Sequence, residues 1–97
     1  MSVTIITSLH AGLGRDNELA ALLATGRDRM RGAEGCESFD LLRDESDACG
    51  MTFLQQWVSH GAHDAAFAER IVASGHLEKV LAALDVPIIQ RSYQVAS

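Results

Sequence analysis

The sequence predicts an α+β fold of the split βαβ type, with a four-stranded antiparallel sheet and helices packed on one face. Three observations support this prediction. Short segments of strand-like pattern alternate with segments of helical period in the order βαββα(α)β. The segment 51–58 carries apolar residues at both odd and even positions, which is typical of a strand covered on both faces. The 97 residues, 47% of them apolar, suffice for one core, so we expect a single domain over 1–97.

The first strand and helix are predicted by β-branched and then amphipathic patterns. Residues 3–10 (VTIITSLH) are rich in β-branched side chains, and glycines follow them. Asp16 or Asn17 is expected to cap the helix that comes next. Gly26 weakens the middle of this helix by about 1 kcal/mol relative to alanine. The apolar positions on its predicted inner face are Leu19, Leu22, Leu23 and Met30.

A hairpin and a second helix occupy the middle of the chain. Residues 36–43 and 51–58 are predicted strands joined by the polar loop DESDACG. Ser59 is expected to cap a helix built from Ala62 onward, because its hydroxyl can accept a hydrogen bond from a free backbone N–H. Gly75 is expected to end that helix at the C′ position. Apolar or aromatic side chains recur at four-residue spacing in His63, Phe67 and Ile71.

The C-terminal part is predicted to form a short helix and the closing strand. The segment HLEKVLAAL at 76–84 has helical period, and Pro87 follows it where proline is tolerated. Residues 88–95 are the predicted last strand. The helix is expected to turn Leu77, Val80, Leu81 and Leu84 inward.

The sheet is predicted to be apolar on the face away from the helices as well. In the strand 51–58 one side carries Phe53 and Trp57, and the other carries Leu54 and Val58. An exposed apolar face usually marks an interface. We therefore expect a homodimer formed by packing two sheets face to face.

Composition excludes several classes of protein. The net charge of −5 and the scattered basic residues disfavour a nucleic-acid partner. No apolar run is long enough to span a bilayer and no signal-peptide pattern is present, so we expect no membrane partner and a cytoplasmic location. Cys36 and Cys49 would lie far apart along the hairpin, which predicts two reduced thiols rather than a disulfide.

The segment WVSHGAH at 57–63, followed by Phe67, resembles the antibiotic biosynthesis monooxygenase (ABM) superfamily. The pair Gly35 and Cys36 before the second strand, and the final helix-to-strand run with Tyr93, resemble it as well. The resemblance covers nearly the whole chain and implies ferredoxin-like protomers that dimerise into an α/β barrel. The superfamily includes cofactor-independent oxygenases of aromatic polyketides, quinol monooxygenases, haem-degrading enzymes, an isomerase and proteins without known activity, so fold does not settle function.

The resemblance assigns roles to particular residues. Trp57 matches a tryptophan that lines the pocket of the polyketide oxygenases, and His63 falls where those enzymes carry a tyrosine. Phe53 falls where they carry an asparagine thought to bind the substrate or the dioxygen intermediate, which is a departure from their pattern. Ala66 lies near the position of a tryptophan that the haem-degrading members need, which argues against haem cleavage.

The chemistry that the resemblance implies needs a base, an aromatic wall and a donor for an anion. His63 is the predicted base, because the ordinary pKa of histidine is about 6.5, and Trp57 is the predicted wall. The simpler interpretations are that His63 is a capping-turn residue and that Trp57 only fills the core. Arg91 and Tyr93 are the candidate donors for the anion. The candidates for contact with the substrate are Phe53, Phe67, Arg91, Tyr93 and His10.

The sequence leads to one functional hypothesis and two rivals. The hypothesis is a cofactor-independent monooxygenase that oxidises a small aromatic, quinol or polyketide-type substrate with O2. The rivals are a non-enzymatic dimer that binds a small apolar ligand, and an isomerase or decarboxylase on the same fold. No cofactor is expected, because the reaction that the resemblance implies needs no metal or flavin. No metal site is expected at His60 and His63, because Asp64 and Glu69 are predicted to point away from them. His60 and His76 are predicted to be solvated.

Overall fold

The computed structural model describes residues 2–96 and confirms the α+β prediction. Four strands and three α-helices follow one another in the predicted order, and a π-helical segment, Ala68–Val72, continues the second helix. The strands are β1 Val3–His10, β2 Cys36–Arg43, β3 Gly50–Trp57 and β4 Ile89–Tyr93. The helices are α1 Asp16–Arg31, α2 His60–Phe67 and α3 His76–Ala82.

The sheet is antiparallel, with the strand order β2-β3-β1-β4. The predicted hairpin is present, and Cys36 pairs with Trp57 across it, with a bulge after Cys36. Cys49 lies in the loop at the other end of the hairpin, and both cysteines are free thiols, as predicted. Both central strands therefore pass under the helices, while β4 lies at an edge.

The two faces of the sheet differ in burial because side chains alternate along each strand. The helices cover the face formed by the odd-numbered residues of β1 and β3, which include Ile5, Phe53 and Trp57. The outer face is the predicted interface, and its apolar side chains include Ile6, Leu42, Leu54, Ile89 and Tyr93. Val58, predicted to share this face, follows the end of β3 and is half-exposed.

The core consists of two apolar clusters under the helices. One surrounds Trp57, with Ile5, Met30 and Phe39 against it. The other lies between α1, α3 and the sheet, and its buried members are Leu9, Ala11, Leu19, Leu23, Met51, Val80 and Ala83. Among residues 2–96, no helix combines the length and apolar character that crossing a bilayer would require.

The start of α1 differs from the prediction. The N-cap residue is Arg15, and neither Asp16 nor Asn17 caps the helix with its side chain. Asp16 lies in the first helical turn, and its carboxylate accepts a hydrogen bond from Arg43 of β2 at 3.0 Å. The prediction was wrong because a tertiary ion pair engages the carboxylate that would otherwise have capped the helix.

The second and third helices also depart from the prediction in detail. Ser59 caps α2 as predicted, accepting from the backbone N–H of Ala62, although the helix already begins at His60. Gly75 has the left-handed backbone expected after a helix, but it lies one position beyond C′ because Ala73 is the C-cap. In α3, Leu81 is half-exposed, whereas Ala83, the residue that caps the helix, is fully buried; the inward orientation predicted for Leu81 was wrong.

Candidate functional site

A cavity of about 130 Å³ lies between the helices and the covered face of the sheet. Buried Thr7 and Gln55 are on the sheet side, and His63 is on the helix side. Gln90 of the edge strand β4 is exposed, which places the mouth of the cavity on the β4 side. The remaining lining is largely apolar and consists of Leu9, Leu23, Gly26, Met30, Phe39, Phe53, Phe67, Ile71, His76, Leu77, Val80 and Ile88.

A line of polar side chains crosses the sheet along the cavity. The indole N–H of Trp57 donates to Oε1 of Gln55 at 2.9 Å, which leaves the amide nitrogen of Gln55 turned toward Thr7. That nitrogen donates to the Thr7 hydroxyl over a long 3.4 Å, and the hydroxyl donates to Oε1 of Gln90 at 2.8 Å. An amide nitrogen carries two hydrogens, so Gln55 keeps one donor for a ligand.

His63 is held in one orientation at the cavity wall. Only 4% of its surface is exposed. Its ring meets the ring of Trp57 edge-on at 5.5 Å between centroids and stacks on Phe67 at 5.9 Å. Nδ1 lies 2.9 Å from Oδ1 of Asp64, and because a carboxylate only accepts, Nδ1 carries the proton and Nε2 carries the lone pair of the neutral ring.

The free nitrogen of His63 is accessible. Within residues 2–96, each side-chain nitrogen or oxygen that is sealed from solvent has a hydrogen-bond partner. Nε2 of His63 has no partner there, so this atom is open, and the ring to which it belongs lines the cavity. A carboxylate on Nδ1 with a free Nε2 is the arrangement that makes histidine a general base.

Asp64 is shared by two histidines, which corrects the prediction that it points elsewhere. It accepts from Nδ1 of His63 at 2.9 Å and from Nδ1 of His60 at 3.2 Å. The hydrogen bond from His63 has the larger effect, and together with the one from His60 it holds the pKa of Asp64 below its usual value. His60 is exposed, as predicted, and its other nitrogen lies 3.1 Å from the hydroxyl of Ser92. The ionised carboxylate is therefore positioned to stabilise a protonated His63.

The same three side chains are the group that could hold a cation. The ligand atoms of His60, His63 and Asp64 lie within 4.8 Å of one another, and two imidazoles with a carboxylate are a donor set that zinc accepts. They come from a single turn of one helix, and His60 and Asp64 are exposed. The hydrogen bonds between them already account for their proximity, so we assign them no metal.

The π-helical segment contributes Ile71 to the cavity wall. The backbone N–H of Ala73 bonds to the carbonyl of Ala68, five residues earlier, which is the mark of a π turn. Such turns shift the face that the following residues present, and here Ile71 is buried on the cavity wall in line with His63 and Phe67. The four-residue spacing seen in the sequence thus produces one wall of the site.

The structure brings some of the predicted site residues together and separates others. His63, Phe53 and Phe67 line the cavity. Trp57 has no exposed surface and contacts the cavity only through His63 and Gln55, so it supports the wall from behind. The predicted site residues that do not line the cavity are His10, Arg91 and Tyr93.

Those three residues lie in two other places. Arg91 and Tyr93 pair with Ile6 and Thr4 of β1 and point to the outer face of the sheet. The ring of His10 bridges two loops, with Nε2 2.8 Å from Asp47 and Nδ1 2.9 Å from Asp85. These carboxylates raise the pKa of His10 above its ordinary value.

Sequence reasoning missed the other polar side chains that line the cavity, which are Thr7, Gln55, His76 and Gln90. Gln55 had a detectable signal, because it is the polar residue on the otherwise apolar side of β3 that carries Met51, Phe53 and Trp57. His76 was predicted to be solvated, which was wrong: only 5% of its surface is exposed. Its burial comes from packing against α1, which no local pattern reveals.

Comparisons with known proteins agree with this fold. The family described as antibiotic biosynthesis monooxygenase matches the chain over residues 2–83. A search of the curated proteins found no match. The chain is similar to the solved structure of Rv0793 from Mycobacterium tuberculosis, with 18% identity, a TM-score of 0.88, and coverage of 100% of this chain and 97% of that one.

Two further solved structures show the same similarity. PA3566 from Pseudomonas aeruginosa is 21% identical, with a TM-score of 0.83 and coverage of 98% of this chain and 95% of that one. SnoaB, a cofactor-independent oxygenase from Streptomyces nogalater, is 17% identical, with a TM-score of 0.83 and coverage of 99% and 94%. At these identities the similarity shows the fold.

Proposed function

The chain belongs to the antibiotic biosynthesis monooxygenase family, and from that premise we propose that it is a cofactor-independent monooxygenase of a small aromatic or quinol-type molecule. The observation that carries the proposal is the pair His63 and Asp64. A buried imidazole with its Nδ1–H on a carboxylate at 2.9 Å faces an apolar cavity with its other nitrogen free. SnoaB, whose fold this chain shares, is a cofactor-independent oxygenase.

The first step is removal of a hydroxyl proton from the substrate. Nε2 of His63 accepts this proton, and Asp64 stabilises the imidazolium that forms. The apolar lining excludes water, which strengthens hydrogen bonds to the resulting anion. Gln55 lines the cavity, and its second amide N–H would donate to that anion, a part for which the sequence suggested Arg91 or Tyr93.

The second step is oxidation of the anion by O2. The anion transfers one electron to O2, and the radical pair combines to form a carbon–oxygen bond. Protonation and loss of water then give the product, so that hydroquinone and dioxygen yield hydroxybenzoquinone and water. One oxygen atom of O2 stays on the ring, and the other leaves as water with two hydrogens from the substrate. The substrate supplies all four electrons, and the balance requires no flavin, metal or external reductant.

We propose further that two protomers pair through the outer faces of their sheets. The apolar residues Ile6, Leu54 and Ile89 would be buried there, and the mouth of the cavity on the β4 side would stay outside the interface. Leu54→Asp should convert a dimer to a monomer in light scattering. A wild-type protein that is monomeric at micromolar concentration would contradict this pairing.

Oxygen uptake on hydroquinones and related phenols tests the reaction. We expect uptake above the autoxidation rate, reduced about 10²- to 10⁴-fold in His63→Ala, since general-base catalysis contributes that much. His10→Asn, at a histidine outside the cavity, is the matched control and should keep wild-type activity. Oxygen uptake at the wild-type rate in His63→Ala would show that His63 is not the general base.

One observation favours a second candidate function. Two histidines, His63 and His76, line the same cavity, which would also allow an isomerase to move a proton within a substrate without O2. Turnover under argon would identify this alternative. Tight binding of a co-purified molecule without any turnover would instead favour a non-enzymatic ligand-binding protein.

A further inference from the structure

His76 is a second imidazole on the cavity wall, carried by α3 instead of α2. Its Nε2 lies 2.8 Å from the backbone carbonyl of Leu22. Because a carbonyl only accepts, Nε2 carries the proton and Nδ1 carries the lone pair of the neutral ring. Nδ1 has no hydrogen-bond partner within residues 2–96, where sealed side-chain nitrogens all have one, so this atom is accessible, and the ring to which it belongs lines the cavity.

Gly26 of α1 makes room for this imidazole. A Cβ at position 26 would lie 3.4 Å from Nε2 of His76 and 3.8 Å from the end of Ile71. The first distance is at the lower limit of ordinary van der Waals contact, so a residue larger than alanine would press on the ring. Glycine at position 26 weakens the helix by about 1 kcal/mol relative to alanine. The close approach of the His76 ring explains why a small residue lies at this position.

The two histidines lie at opposite ends of one wall. From His63 the wall continues through Phe67 to Ile71, two helical turns or about 12 Å of backbone. The side chain of Ile71 and the ring of His76 then meet at Gly26. A molecule that fills the cavity therefore has one imidazole near each end.

We propose that His76 is a specificity-determining residue, which accepts a hydrogen bond from a polar group at the end of the substrate remote from His63. This inference rests on the proposed function of the same cavity. Its volume of about 130 Å³ is close to that of an engineered cavity of ~150 Å³ that holds one benzene ring. The favoured substrate is thus a single ring with a hydroxyl group at each end, and fused multi-ring molecules are disfavoured.

Binding of hydroquinone and of 4-methylphenol under argon tests the proposal. The two probes have nearly the same size, but 4-methylphenol carries a methyl group in place of the second hydroxyl. By calorimetry, the wild type should bind hydroquinone about five- to tenfold more tightly, the ratio expected for one further buried hydrogen bond. His76→Phe should lose this preference while still binding 4-methylphenol, and His10→Asn should keep it.

A measurement on the wild type covers the case in which His76→Phe does not fold. The ¹⁵N chemical shift of His76 Nδ1 should move when hydroquinone binds and stay in place with 4-methylphenol. Equal affinity for both probes in the wild type, a preference that persists in His76→Phe, or an unmoved Nδ1 resonance would overturn the role of His76. Selective binding without oxygen uptake would instead refute the monooxygenase and leave the role of His76 standing.

Discussion

Replacement of Gln55 by leucine should destabilise the protein, because the buried indole N–H of Trp57 then has no hydrogen-bond acceptor. Gln55 is 3% exposed, and its Oε1 accepts the indole N–H of Trp57, which has no exposed surface. Leucine has a similar size but no acceptor, so Gln55→Leu strands a buried N–H group. The cost of such a group is about 1–3 kcal/mol, and we expect the free energy of unfolding to fall by that amount. This is a large part of a typical total of ~5–15 kcal/mol.

A double-mutant cycle in urea separates this hydrogen bond from general damage to the core. Trp57→Phe removes the donor, so adding Gln55→Leu to that variant should cost about 1 kcal/mol less than adding it to the wild type. Circular dichroism is the suitable signal, because Trp57 is the only tryptophan. Gln94→Leu, at an exposed glutamine outside the strands, should change stability by less than ~0.5 kcal/mol. Strict additivity in the cycle would refute the reasoning.

Three other predictions use simpler measurements. Gly35 has a φ of +88°, and an added Cβ would lie 2.7 Å from Cβ of Ala62. Gly35→Ala should therefore lower the free energy of unfolding by about 2–4 kcal/mol. An unchanged midpoint of urea unfolding would contradict this prediction. Asp47 and Asp85 raise the pKa of His10 above 6.5, so the folded state holds that proton more tightly than the unfolded chain does. The free energy of unfolding of the wild type should exceed that of His10→Asn by the largest amount below about pH 6.5. This difference should shrink as the pH rises through the pKa of His10 in the folded state. A difference that grows with pH would contradict the prediction. Dialysis against a chelator should leave oxygen uptake unchanged, and restoration of lost activity by a metal would contradict the metal-free mechanism.

The sequence predicted the elements best where local pattern alone decides them. The bounds of β1 and β2 are as predicted, because alternation and β-branched residues determine a strand over a few residues. The cap of α1 was wrong because Asp16 pairs with Arg43, a residue 27 positions away. The π turn at Ala68–Val72 has no sequence signature of its own, so the predicted continuous helix could not include it.

The candidate site was predictable to the extent that it follows from one strand and one helix. His63 and Phe67 were found by their spacing after Ser59, and both line the cavity. His76 was missed because its burial comes from packing against α1 beside Gly26, 50 positions earlier in the chain. The orientation of Asp64 toward His63 depends on side-chain rotamers, which periodicity does not specify.

The cavity and the buried polar side chains beside it are departures from a close-packed apolar core, which argues that they are retained for binding. A cavity of about 130 Å³ leaves its apolar walls without the contacts that a close-packed core provides. A larger apolar residue at the position of Thr7 would fill part of such a space without a buried hydroxyl to pair. Departures from an apolar, close-packed core are expected where a protein binds or transforms a ligand. Here both departures occur at one place, beside the open nitrogen of His63, so a single ligand would account for them together.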